Sequence, residues 1–293
     1  MRITQNITYN TYINDIMRKQ ESLYGLSRQI SSGKKVNVLS DDPVSAESIL
    51  SSRSMISTFE QYEKNIDSGL SRLSMSEETL SGVENALMSI QETAVSQASG
   101  TANAQTRSAA ATVVSNLFDQ IISLANTSFD NKYIFSGYKT DTPPFESTGA
   151  YQGDANSYRI RAGENAYVTV GVNGGEVFKG TAGGVDVLQA VSDLKAALNA
   201  NDTTGIQTAI TNLEAGFNQI TDAVSDIGGK VVRLNASKET LTNFKLGLKT
   251  ALSELEDADM TKVISELSLG QVALEAAISS AGKVFRVNIF DYL

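Results

Sequence analysis

The chain has 293 residues, with 24 Lys and Arg against 33 Asp and Glu, and it contains no histidine, cysteine or tryptophan. The net charge of −9 argues against nucleic acid, whose phosphates require clustered cations. The missing side chains exclude thiol, Ser-His-Asp and soft-ligand zinc chemistry, and no stretch has the spacing of a calcium loop, so no metal and no cofactor is expected.

The N-terminus, "MRITQNITYNTYIND", is polar and lacks the apolar run of a cleaved signal peptide. From there Tyr9, Tyr12, Ile16, Lys19, Leu23, Leu26 and Ile30 recur at alternating spacings of 3 and 4, a heptad seam with one polar interruption. Gly33 follows as a left-handed cap, with Lys34 and Lys35 at the negative end of the helix dipole. "LSDDPVSAES" then sets Asp41 and Asp42 directly before Pro43. The pair could be a catalytic dyad, but Asp at the N-cap with Pro at the first helical position is a helix start. Adjacent side chains also point apart, so the two would not share a substrate.

The helix that starts there is expected to run from about 44 to 98, with Phe59, Tyr62, Ile66, Leu70, Leu73, Leu80, Val83, Leu87, Ile90 and Ala94 on one face, a rod on the order of 80 Å. "SGTANAQT" at 99–106 breaks it, and a returning helix carries Val113, Val114, Leu117, Phe118, Ile121 and Leu124. Ten of the 22 glycines then fall between Gly137 and Gly184. "KYIFSGY", "SYRIRAG" and "AYVTVGV" alternate with the period of strands, and "NGGEVF" at 173–178 suggests an Asn-Gly hairpin turn. A short helix over 185–200 leads into a further helical stretch from about 203 to 256, in which Gly228-Gly229 predicts a local break. The glycine pairs match no phosphate-binding loop.

"LEDADMTK" repeats the earlier device: Asp257 and Asp259 precede a second seam of Met260, Ile264, Leu267, Gln271, Leu274, Ile278, Ala281 and Phe285. Narrow strips bury little in one molecule. The terminal segments, with Tyr9, Tyr12, Ile16, Leu23, Leu26, Ile30, Ile264, Leu267, Leu274, Ile278 and Phe285, are therefore expected to form an assembly interface that orders on packing against other copies. No apolar run of 18 residues occurs, so no membrane span is predicted.

The expected fold is mainly α: an elongated antiparallel bundle of long helices, with terminal coiled-coil helices and a small β-rich insert. Its domains nest, with 1–42 plus 257–293 for assembly, 43–136 plus 185–256 as the helical rod, and 137–184 as the outer insert. An enzymatic reading would need two of Asp141, Glu146, Asp154, Glu164 and Glu176 held about 5–9 Å apart in a cleft, as in glycosidases.

Several strings, specific in combination, resemble the flagellin superfamily and within it the hook-associated protein 3 family. They are "LSRQISSGKKVNVLSDDPVSAESI", "NIDSGLSRLSMSEETLSGVENALMSIQETAVSQASGT", "NKYIFSGYKTDTPPF", "LEDADMTKVISELS" and "AISSAGKVFRVNIFDYL". The opening "MRITQN", the closing "FDYL" and "DDPV" in place of the usual flagellin DDAAG favour the junction family over filament flagellin, which is the alternative. The resemblance implies a non-enzymatic adaptor of the bacterial flagellum, forming a ring at the hook–filament junction on which flagellin polymerises. It implies as partners other copies of the chain, hook-associated protein 1 on the hook side, flagellin on the filament side and a dedicated export chaperone. It also implies export by the flagellar type III route to an extracellular site. Flagellins recognised by an innate immune receptor carry arginines where this chain has Ser89 and Gln91, and that property is not carried over.

Overall fold

The computed structural model describes the backbone of residues 2–100 and 102–290 and the side chains of 7, 9–100 and 102–283. Its elements in chain order are α1 (Arg2–Ser32), α2 (Pro43–Ala98), α3 (Ala104–Ala125), β1 (Ser128–Phe129), β2 (Lys132–Tyr133), β3 (Arg159–Arg161), β4 (Tyr167–Thr169), α4 (Gly174–Lys179), α5 (Val187–Asn199), α6 (Thr203–Glu256) and α7 (Met260–Phe290). The fold is mainly helical, as its heptads require. Two compact units form, one of Met1–Thr58 with Asn243–Leu293 and one of Phe59–Thr242.

In the second unit α2 and α6 run antiparallel. Thr221 donates to Glu84 at 2.7 Å, Lys238 to Asp67 at 2.6 Å and Thr242 to Glu63 at 2.9 Å. The residue numbers of each pair have the same sum, which marks an unbroken register. Between and beyond these rungs the apolar side chains recur at every seventh residue: Ile66, Leu73, Leu80, Leu87 and Ala94 on α2, and Ile206, Leu213, Ile220, Ile227, Leu234 and Leu241 on α6, all buried. A strict heptad keeps its seam inward when two helices supercoil, and burying each Leu or Ile contributes roughly 1.5–3 kcal/mol.

The corner after α2 is fixed by Arg107, buried at the start of α3. It donates to the Gln97 carbonyl at 3.0 Å and the Ser99 carbonyl at 3.2 Å, and it also bonds the Asn201 side chain. These are the carbonyls that the end of a helix leaves unpaired. Asn103 caps α3 through a box with Thr106. From this corner α3 packs along α5.

The insert has little regular strand. β1 and β2 pair across Asp130 and Asn131, whose φ values of 53° and 58° are those of a type I′ hairpin turn. β3 and β4 pair antiparallel, Ile160 opposite Val168. They lie over Gly69 of α2, where an added Cβ would stand 2.6 Å from Ile160 Cδ1. The rest is held by aromatic packing, with Phe178 edge-on to Phe135 at 5.4 Å and to Phe145 at 5.2 Å. Tyr151 joins them with its hydroxyl 3.0 Å from the carbonyls of Phe135 and Asp154, and burial pushes its pKa to about 12.

Two expectations about glycines are corrected. "NGGEVF" is the start of α4 rather than a hairpin turn: the Asn173 side chain accepts from Gly175 N at 2.8 Å. Gly174 sits under the Phe135 carbonyl, which a Cβ would approach to 2.6 Å. Glycine is needed there for clearance, since neither Gly174 nor Gly175 has a positive φ. Gly228-Gly229 does not interrupt α6, which continues from Thr203 to Glu256. Its flanking seam residues Ile227 and Leu234 are buried, and their packing outweighs a helix cost of about 1 kcal/mol per glycine.

Candidate assembly surface

The first unit is built from α1, α7 and the adjoining ends of α2 and α6. Gly33 (φ 73°) ends α1 with its N–H donating to the Gln29 carbonyl at 2.8 Å, the left-handed termination that only glycine adopts without strain. Its own carbonyl accepts from Ala258 N at 2.9 Å, and Lys35 N donates to the Glu256 carbonyl at 2.7 Å. A one-residue bridge between Lys34 and Asp257 completes the join. From it α1 and α7 lie side by side, and at Gly270 a Cβ would meet Leu23 Cδ2 at 2.7 Å. The join and this contact together make the pair antiparallel.

A charged node locks the same join. The Glu256 carboxylate is buried and pairs with Lys34, from the link after α1, and with Arg53 of α2. Lys35 Nζ donates to the Glu254 carbonyl at 2.7 Å. No sequence signal points to this role for Glu256, since one glutamate late in a polar helical stretch has no distinguishing spacing.

The adjacent aspartates do different work. Asp42 stands before α2, its Oδ1 accepting from Val44 N and Ser45 N at 3.1 Å each. Asp41 faces the other way: Oδ2 accepts from Asn37 N at 2.9 Å and Val38 N at 3.0 Å, and Oδ1 takes Arg28 Nη2 at 3.0 Å. It therefore ties the link back onto α1 and bonds none of the first amides of α2. The amides of Val38 and Asn37, with Arg28, hold the Asp41 carboxyl below its ordinary value. Ser45 chiefly, with Val44 and Lys35, does the same for Asp42. On the returning chain Asp259 accepts from Lys262 N at 3.1 Å at the start of α7, and Asp257 takes the Ser253 hydroxyl.

Apolar burial in this unit is sparse. Among its described residues only Ala46, Ile49, Val263 and Ala281 are buried hydrophobics. Exposed are Ile7, Tyr9, Met17, Tyr24 (69%), Val38, Leu39, Val44 (82%), Leu50, Met55, Phe244, Leu246, Met260, Ile264, Leu269 (72%), Val272 and Ile278. Of the expected seam residues, Tyr12, Ile16, Leu23, Leu26, Ile30, Leu267 and Leu274 are half-buried, whereas Tyr9, Ile264 and Ile278 are exposed. The Phe285 side chain lies outside the described residues. The more buried face of α7 carries Val263, Leu267, Gly270, Leu274, Ala277 and Ala281, so Ile264 and Ile278 stand outside it. Exposed apolar area of this kind marks an interaction surface rather than a finished core.

Two of the insert's acids, Asp154 and Glu146, are engaged by neighbouring amides. Asp154 Oδ1 accepts from Tyr138 N at 3.1 Å and Asn156 N at 2.8 Å. Glu146 takes the Gln152 amide at 2.7 Å, and Glu176 lies in the first turn of α4. Among the described residues no group of three or more acids converges as a metal site, and no helix is long and apolar enough to cross a membrane.

The bacterial flagellin N-terminal helical region matches residues 3–140, and the bacterial flagellin C-terminal helical region matches 210–293. Flagellar hook-associated protein 3 of Salmonella typhimurium is 26% identical over 314 aligned positions, which cover 99% of each chain. The flagellin of Bacillus subtilis is 27% identical over 94% of each. Among solved structures, a flagellar hook-associated protein from Vibrio parahaemolyticus superposes with a TM-score of 0.69 at 22% identity, covering 74% of this chain and all of that one. With both helical regions matched over about three quarters of its length, and the same fold in that structure, the chain belongs to the bacterial flagellin superfamily.

Proposed function

We propose that the chain is a structural adaptor of the bacterial flagellum, of the hook-associated protein 3 kind, which forms a ring at the hook–filament junction on which flagellin polymerises. One observation carries the mechanism: the unit made by the two chain ends leaves far more large apolar side chains exposed than it buries. Packing against further copies would remove that surface from water at roughly 25 cal/mol per Å² of apolar area. Similarity to hook-associated protein 3 extends over 99% of each chain, against 94% for the flagellin of Bacillus subtilis, which supports the junction over the filament itself.

In this reading residues 1–42 with 257–293 form the assembly domain, 43–136 with 185–256 the helical rod and 137–184 the outer insert. Tyr9, Ile264 and Ile278, together with Met17, Tyr24, Leu269 and Val272, meet neighbouring subunits. The half-buried Leu23, Leu267 and Leu274 hold α1 to α7, and the Glu256 node ties the link after α1 to the adjoining end of α2. Hook-associated protein 1 and flagellin are the neighbours on the two sides. Export follows the flagellar type III route with a dedicated chaperone, and the role needs no enzyme activity. Deleting the gene and imaging the cells tests the role: bare hooks with flagellin released into the medium support it, and normal filaments on the deletion strain refute it.

A further inference from the structure

A cavity of about 430 Å³ in the second unit is used by nothing described so far. Arg72 of α2, Asp130 and Lys132 of the β1–β2 hairpin, Tyr138, and Tyr158 and Arg159 where β3 begins line it. It thus gathers three cations and one acid in a chain of net charge −9. None of the three cations forms an ion pair with a described residue. Arg159 lies over the Tyr167 ring at 5.5 Å, and Lys132 is exposed.

Arg72 is the unusual member. It is only 8% exposed, yet its partners are the Tyr133 and Ile134 carbonyls at 3.4 and 3.3 Å, both from Nη2, and the Tyr158 ring at 5.4 Å. Nε is buried with no hydrogen-bond partner. An arginine stays charged in proteins, and a buried cation without a counter-ion is costly. Such a group at the wall of a cavity favours an anion inside it.

The remaining lining narrows the ligand. Tyr138 and Tyr158 present exposed rings, suited to the C–H face of a sugar. Ser68 and Thr140 supply hydroxyls, and Asp130 an acceptor for ligand hydroxyls. A cavity of this size with a few convergent polar groups fits a small ligand. From this combination we infer that the cavity binds a carboxylate-bearing saccharide unit, a uronate, with its carboxylate toward Arg72, Lys132 and Arg159 and its ring against Tyr138 and Tyr158.

The test is a titration of the full-length chain with glucuronate, followed by tyrosine fluorescence, which no tryptophan obscures, and by saturation-transfer NMR. Glucose and acetate serve as the controls that lack the carboxylate and the ring. Saturable glucuronate binding is expected in roughly the millimolar range, about tenfold tighter than either control. Lys132→Gln and Arg159→Gln, both at exposed positions, should each weaken it about tenfold, with the helical circular dichroism unchanged. Arg72→Gln should abolish it; should that variant fail to fold, the two exposed variants still decide. Binding of glucose as tight as glucuronate overturns the anion site. Equal binding of acetate overturns recognition of the sugar ring. Absence of saturable binding, or no effect of the Lys132 and Arg159 changes, overturns the assignment altogether.

Discussion

Replacing Glu256 with Gln removes one charge from the join between the terminal helices and the long helices. The Glu256 side chain is 3% exposed, while its partners Lys34 and Arg53 are 41% and 48% exposed. Breaking a fully buried pair costs about 3–5 kcal/mol, and an exposed pair contributes only about 0.2–1 kcal/mol. With one end buried and two ends half in water, the expected loss is about 2 kcal/mol. The loss is local, because every partner lies in the first unit. A local opening easier by that amount raises amide exchange about thirtyfold. The reporters are Lys35 N, which donates to the Glu256 carbonyl, and Ala258 N, which donates to the Gly33 carbonyl. Hydrogen-exchange mass spectrometry over residues 33–42 and 254–260 measures the effect, with peptides around Leu73 and Leu213 as the internal control. Unchanged exchange at the join, or an equal rise in the second unit, would refute the role given to this carboxylate.

Three further outcomes follow from the same geometry. Gly228→Ala with Gly229→Ala should raise stability by about 1–2 kcal/mol, because both sit inside α6 with open space where a Cβ would stand; a lower thermal midpoint would contradict this. Leu267→Asp or Leu274→Asp should abolish filament growth while circular dichroism retains the helical signal of the second unit, and normal filaments would remove the α7 seam from the mechanism. The Asp41 and Asp42 carboxyls are depressed in the folded chain, so their stabilisation is fully present above the ordinary Asp value, about 3.9, and is lost as pH falls through the lowered values. Exchange at Asn37, Val38, Val44 and Ser45 should therefore be insensitive to the fold's carboxylates between pH 7 and 5 once the intrinsic rate is divided out, and rise only below about pH 4; loosening between pH 7 and 5 would count against these contacts.

The helices were legible because their signals agree at several levels. The α2 and α6 heptads recur without a slip, and Asp42-Pro43 marks a start that chain stereochemistry favours. The α7 seam was harder to place. Apolar residues occur around much of that helix, including Ile264, Leu269, Val272 and Ile278, so spacing alone does not choose which strip faces α1. Gly270 decides it by admitting Leu23 closely, a fact of two surfaces rather than of one segment. The insert was least legible. Its Asp130-Asn131 turn lacks the glycine that usually signals a type I′ hairpin, and the Asn173-Gly174 pair that does carry that signal caps a helix instead. Asp41 and Asp42 read as one acidic device in sequence, but only the folded link shows that Arg28 and two amides claim Asp41. The cluster of Arg72, Lys132 and Arg159 was not visible at all, because it joins three segments far apart in the chain.

Immunogold electron microscopy of isolated flagella, with an antibody raised against this chain, tests the central claim most directly. A single labelled band at the boundary between hook and filament, with the rest of the filament bare, is the predicted result. Label distributed along the filament, or absent from the boundary, would contradict it.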